Sequence, residues 1–176
     1  MTTRSWLCVL AGLAFCLPAT SAAQTLDDAQ IAAIVVAANQ VDVDAGRLAS
    51  RQASAEKVKQ FANLMVTDHT AVNASATDLA SRLKLTPQEN DTSRALQAGG
   101  DKHLAHLEKL RGDAFDRAYV AHEVAYHQQV IDALDKQLIP NAKNTDLSAL
   151  LVKVRPAFVA HLEHARQLQQ ALGGGR

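Results

Sequence analysis

Cysteine and aromatic residues are scarce in this chain, and neither sign of charge dominates. Aromatic residues make up 4% of the 176 residues, and 18 Lys and Arg balance 18 Asp and Glu. The two cysteines, Cys8 and Cys16, both lie before residue 24, so the rest of the chain has no disulfide, thiol nucleophile or thiolate metal ligand. Balanced charge argues against general nucleic-acid binding, which needs a basic face. Frequent alanine with few aromatic residues favours closely packed helices over a β-sandwich.

The start of the chain, residues 1–23, has the pattern of a secretory signal peptide. Arg4 precedes an apolar run at residues 6–17, and Pro18 ends this run. The small residues that follow predict cleavage before Gln24, with an uncleaved N-terminal anchor as the alternative. We therefore expect an exported protein, either periplasmic or secreted.

The remaining residues 24–176 are predicted to form one domain, because about 100–200 residues is a usual domain size. They carry 17 basic and 18 acidic residues, since Arg4 is the only charge removed with the signal. No segment among them is long and apolar enough to span a bilayer, which takes about 20 residues. Apolar residues recur at helical spacing in five segments, namely 26–51, 54–84, 92–110, 113–138 and 145–172.

The lengths of the connections predict how these helices are arranged. The first two helices are joined by a short turn, and so are the last two, so each pair should form an antiparallel hairpin. The link between the two pairs is long and carries the segment 92–110 as its own helix. The layout predicts an all-α, ferritin-like four-helix bundle with a long helical crossover between helices two and three.

Several ionisable side chains fall inside the apolar stripes of the four long helices. A helix turns by about 100° per residue, so sequence position gives the direction of each side chain. Each long helix directs at least one side chain that can bind a metal towards the shared interior. Buried carboxylates need partners, either one another or a cation. The inward set is Asp42, His69, Asp116, Glu123, His127 and His161.

Two interpretations of this set remain open from the sequence. Carboxylate and imidazole groups within a bundle often form satisfied polar contacts that only fix helix packing. Alternatively, the set binds a divalent transition metal, and mixed ligation by His and carboxylate groups suits Fe, Zn, Cu or Ni. The Glu-x-x-His motif of di-iron bundles does not occur in the chain, which disfavours a di-metal oxidase.

Other features of the sequence give weaker indications. Asp116 lies seven residues, or about 10 Å of helix rise, from Glu123, which indicates a second cluster or a helix start. His103 and His106 lie on the crossover segment and are expected to be solvated. The chain has neither a Gly-rich phosphate loop nor a Gly-x-Ser-x-Gly elbow, so no catalytic residue is identified and an enzymatic role is not favoured.

Several stretches together resemble a known family. Residues 39–49 and 58–69, the Phe-Asp-x-x-Tyr segment 115–119, His127, and Pro156 followed by His161 resemble the secreted bacterial family known as domain of unknown function 4142. The resemblance covers nearly all of the chain after the signal, and it implies a ferritin-like bundle in the bacterial envelope without an established activity. The recurring polar positions of the family fall on Asp42, Asp68, His69, Asp116, His127 and His161.

Overall fold

The computed structural model describes residues 25–174, and nearly all of them are helical. The predicted signal peptide lies outside these residues. No strand occurs among residues 25–174, so the all-α prediction is confirmed. None of the helices in this part of the chain combines the length and apolarity needed to cross a membrane. The helices are α1 (Asp28–Gln52), α2 (Glu56–Arg82), α3 (Asp91–Leu107), α4 (Gly112–Ala133), α5 (Ile139–Asn141) and α6 (Thr145–Gly173).

Side chains next to the first turn hold the start of three of the helices. At α1, the Asp27 carboxylate accepts a hydrogen bond from the backbone of Gln30 at 2.8 Å, and the Gln30 side chain accepts from the backbone of Asp27 at 3.2 Å. Asn90 begins α3 in the same way, and Asn144 accepts from the first backbone N–H groups of α6. These bonds satisfy donors that have no partner inside the helix, so the helix starts are encoded locally.

The structure departs from the sequence prediction at the end of α4. A single helix was expected over 113–138, but regular α-helix ends at Ala133 and a π-helical turn covers Leu134–Leu138 before α5. Pro140 has no backbone N–H to donate to the preceding turn, which fits the loss of regular spacing there. Pro156, by contrast, lies inside α6 without ending the helix.

Helix α1 lies at the centre of the packing. It contacts α2 most extensively and also α4, while α6 contacts the same two helices, so the four enclose a common core. Helix α3 packs against the outer side of α1. Residues on nearly every side of α1 are therefore buried, whereas the sequence predicted one apolar stripe. The many small side chains of α1 allow the neighbouring helices to approach it closely.

A polar layer interrupts the core near the middle of the long helices. One apolar cluster includes Ile34, Val130 and Leu151, and a second includes Phe61, Phe115 and Leu168. Along each of the four enclosing helices, polar side chains lie at or near the point where one cluster gives way to the other. The buried members of this layer are Asn39, Asp42, His69, Glu123, His127 and His161.

The contact between α3 and α1 depends on Gly100. A Cβ atom at Gly100 would lie 2.8 Å from Cγ2 of Val41, whereas a Cβ atom at the adjacent Gly99 would meet nothing within 4 Å. Valine is stiff at χ1, so Val41 cannot turn aside freely. The bare backbone of Gly100 thus lets the two helices approach.

We expect Gly100→Ala to lower the free energy of unfolding by about 1 kcal/mol, because overpacking outweighs the gain in helix propensity. Gly99→Ala is the matched control, and it should raise the free energy by roughly 0.5–1 kcal/mol. Urea denaturation followed by circular dichroism measures both. Equal effects of the two substitutions would contradict the packing argument.

Candidate metal centre

The structure brings together five of the six residues that the sequence analysis directed inward. Asp42 comes from α1, His69 from α2, Glu123 and His127 from α4, and His161 from α6. All five are buried, with exposed fractions of 0–5%. The four helices thus each supply at least one side chain to the polar layer.

Three imidazole rings form the centre of this group. His69, His127 and His161 each offer a nitrogen atom, and the three atoms lie within 4.8 Å of one another. The ring centroids are 5.2–5.5 Å apart and the ring planes are inclined at 49–87°, so the rings do not stack. A tetrahedral ion with three imidazole ligands at about 2.0–2.1 Å would hold the ring centroids roughly 5 Å apart. The observed spacing is close to that value.

One nitrogen of each ring is engaged by an oxygen acceptor behind it. His69 Nδ1 donates to Oδ1 of Asn39 at 2.8 Å, and the amide of Asn39 is oriented by its own bond to the carbonyl of Val35. His127 Nδ1 donates to the carbonyl oxygen of Glu123 at 3.0 Å. His161 Nε2 donates to Oδ2 of Asp68 at 2.9 Å. These acceptors fix the tautomer and the orientation of each ring.

The other nitrogen of each ring is buried without a hydrogen-bond partner among residues 25–174. These atoms are Nε2 of His69, Nε2 of His127 and Nδ1 of His161. In a neutral imidazole with its other nitrogen protonated, such an atom carries a lone pair. Because unpaired polar groups are costly in a protein interior, three of them in one place indicate a ligand. Their chemistry fits a metal ion.

Phe158 covers the group of three rings with an apolar surface. Its ring centroid lies 5.0 Å from that of His69, 5.9 Å from that of His127 and 6.4 Å from that of His161. Phe158 comes from α6, about one turn before His161. It supplies no ligand atom, so it restricts the space in which an ion could add further ligands.

A pair of buried carboxyl groups lies behind two of the rings. Asp42 Oδ2 is 3.5 Å from His69 Nδ1, and Glu123 Oε2 is 3.4 Å from His127 Nδ1. Burial, and then repulsion by Glu123, raises the pKa of Asp42 well above its usual value. Among residues 25–174, the oxygens of Asp42 and Glu123 have no hydrogen-bond partner, and these two residues with His127 form a second group close enough to hold a metal ion. The two carboxyl groups thus lie closest to the Nδ1 atoms of His69 and His127.

The electrostatics of the three rings differ. Burial, with repulsion from His127 and His161, lowers the pKa of His69 to about 2, so His69 is neutral. Burial is also the main cause that lowers the pKa of His161. At His127, burial is outweighed by Asp42 and Glu123, which raise its pKa to about 9. The two carboxyl groups thus favour one positive charge at this ring, whether a proton or a metal ion carries it.

Asp116 is the residue of the inward set that does not join the centre. It is buried, and its two carboxylate oxygens accept hydrogen bonds from the backbone of Ser54 at 2.9 Å and of Ala55 at 2.7 Å. The sequence analysis left Asp116 to a second cluster or a helix start, and these bonds place it at the start of α2. Ala55 stands at the N-cap of α2 and gives it no side-chain bond, so Asp116 of α4 performs this role.

Two polar residues of the site lay outside the inward set. Asn39 was not among the inward residues, although it lies on the same side of α1 as Asp42. Asp68 recurs in the family that the chain resembles and lies next to His69. His103, which was expected to be solvated, is partly buried and stacks on His122 with ring centroids 3.5 Å apart.

Comparison with known proteins places the chain in one family. The family model for a domain of unknown function (DUF4142) matches residues 16–168. No curated protein and no solved structure gives a significant match. The match covers most of the chain and includes every residue of the site.

We expect Asp116→Ala to lower the free energy of unfolding by roughly 2 kcal/mol, because it leaves two backbone donors of α2 without their acceptor. Exposed Asp101 of α3 provides the control, and Asp101→Ala should stay within about 0.5 kcal/mol of the parent protein. Chemical denaturation measures both. A stability loss at Asp116 no larger than that at Asp101 would refute the capping role.

Proposed function

The chain belongs to the DUF4142 family, a domain of unknown function, and we propose that it is a metal-binding protein whose ligands are His69, His127 and His161. The observation that carries the proposal is the close group of three buried imidazoles, each with one nitrogen that has no hydrogen-bond partner among residues 25–174. The opposite nitrogen of each ring is bound to an acceptor, an arrangement typical of histidines that coordinate metals.

The ligand set supports a transition metal ion. Imidazole suits Zn, Cu, Ni and Fe, whereas Ca and Mg prefer oxygen ligands. Asp42 and Glu123 lie on the far side of the rings, so in this proposal they support the ligands and do not bind the ion. Three protein ligands leave a fourth coordination position, and Phe158 limits what can occupy it. Metal storage or handling fits such a site better than a reaction on a large substrate.

We propose a ferritin-like four-helix bundle as the setting of this site. The contacts of α1, α2, α4 and α6 support it, because these helices enclose the layer, and α3 lies in the long connection between α2 and α4. The apolar run at the start of the chain supports export to the bacterial envelope. Envelope stress protection or metal handling is the corresponding role.

A second candidate is a non-catalytic envelope module in which the buried polar groups only fix helix packing. The role of Asp116 favours it, because this buried carboxylate makes a structural contact and nothing more. The two candidates differ in how the protein should respond to metal ions and chelators. A packing module folds equally well in a chelator and is not stabilised by any divalent cation.

A metal-titrated melting curve tests the proposal. We expect Zn²⁺, Cu²⁺, Ni²⁺ or Fe²⁺ at about 100 times its dissociation constant to stabilise the protein by about 2.7 kcal/mol, or roughly 5–10 °C in melting temperature. His69→Gln, His127→Gln and His161→Gln should each abolish most of this shift. His122→Gln, on the same helix as His127, should preserve it.

Two results would contradict the proposed metal site. If none of the four ions raises the melting temperature, and protein purified without chelator contains no metal by elemental analysis, the packing module is the correct function. Stabilisation that survives all three His→Gln substitutions would place the metal elsewhere on the chain.

The carboxyl pair provides a separate expectation. We expect Asp42→Asn to weaken metal binding about 10–100-fold, because the Asp42 carboxyl group lies 3.5 Å from Nδ1 of His69 and groups behind metal-binding histidines contribute that much to affinity. Asp44 lies on the same helix, is 40% exposed, and serves as the control through Asp44→Asn. Isothermal titration of both variants measures the difference. Equal affinities would mean that Asp42 does not support the ligands.

A further inference from the structure

The side chains of the metal centre differ in their access to solvent. His69, Asp42, Glu123 and His127 have side chains that are at most 1% exposed. The side chain of His161 is 6% exposed, and that of Asp68, which accepts its hydrogen bond, is 39% exposed. Among these six side chains, exposure therefore rises from the centre through His161 to Asp68.

Buried groups lie on other sides of the centre. Asp42 and Glu123 fill the side towards α1 and α4, and α3 packs on the outer face of α1. Phe158 closes another side with an apolar ring that is 3% exposed. A hydrated cation that entered on these sides would have to lose its hydration shell before it reached the buried side chains. The seam between α2 and α6, where Asp68 meets His161, presents a charged oxygen to solvent instead.

We propose that the metal ion enters between α2 and α6 and that Asp68 captures it before His161 does. This inference rests on the proposed function and adds the route of the ion. A carboxylate attracts a divalent cation through solvent, and binding of the cation to Asp68 competes with the hydrogen bond from Nε2 of His161. Release of that bond frees the imidazole to turn about its side-chain torsions and to admit the ion to the other two rings.

Asp68→Asn separates capture from orientation. The amide oxygen of Asn can still accept the hydrogen bond from His161 at the same place, but the negative charge is gone. Charges at the rim of a binding site chiefly change the association rate and its dependence on salt. The substitution should therefore slow binding more than it weakens the final complex.

The experiment measures the rate at which Co²⁺ binds to the metal-free protein, followed by its visible absorption in stopped flow at low and high salt. We expect Asp68→Asn to reduce the association rate constant about 3–10-fold at low salt and to weaken its salt dependence. Asp68→Glu, which keeps the charge, should recover most of the rate. Asp78→Asn is the matched control, because Asp78 is exposed on α2 about 15 Å further along the helix.

Three results would overturn the inference. An association rate unchanged in Asp68→Asn, with the whole effect in dissociation, would make Asp68 a residue that only orients His161 and would leave the proposed function standing. An equal loss of rate in Asp78→Asn would show a general effect of charge. Failure of the parent protein to bind Co²⁺ or any of the four ions named above would overturn the proposed function together with the route.

Discussion

The convergence of three imidazole nitrogens in a dry interior is the constraint on which the site depends. Burying polar groups is unfavourable unless each finds a partner, and the cost of a lone ionised group is several-fold greater. In this protein one nitrogen of each of His69, His127 and His161 has a partner, while the other has none among residues 25–174. A cation at their meeting point would satisfy all three at once.

The two apolar clusters on either side of the polar layer explain how the fold tolerates this arrangement. They hold the large buried side chains, such as Phe61, Phe115 and Leu151, and they continue along all four enclosing helices. Helix starts are secured separately, by local caps and by Asp116 of α4, which accepts hydrogen bonds from the backbone just before α2. The apolar clusters and the helix starts stabilise the fold. The side chains of the polar layer therefore need not stabilise the metal-free protein.

Helical periodicity was sufficient to predict the members of the centre but not their roles. Asp42, His69, Glu123, His127 and His161 were identified because each helix is regular and turns by a fixed angle per residue. Which ring nitrogen faces the centre depends on side-chain torsions and on how each helix is rotated against its neighbours. The sequence alone therefore could not separate ligands from supporting carboxyl groups. The same limit applies to Asp116, whose partners belong to another helix.

The positions of the carboxyl groups distinguish this centre from a di-iron site. Di-iron bundles place carboxylates at the metals and use the Glu-x-x-His spacing, in which both side chains reach the ion. Here Glu123 and His127 are four residues apart, and Glu123 contacts the nitrogen of His127 that faces away from the other rings. In the proposed centre the three imidazoles would supply the ligand atoms, although Asp42 and Glu123 also lie close enough to His127 to form a group that could hold an ion. A set of three imidazoles would suit Zn, Cu, Ni or Fe, and Phe158 would limit the number of further ligands.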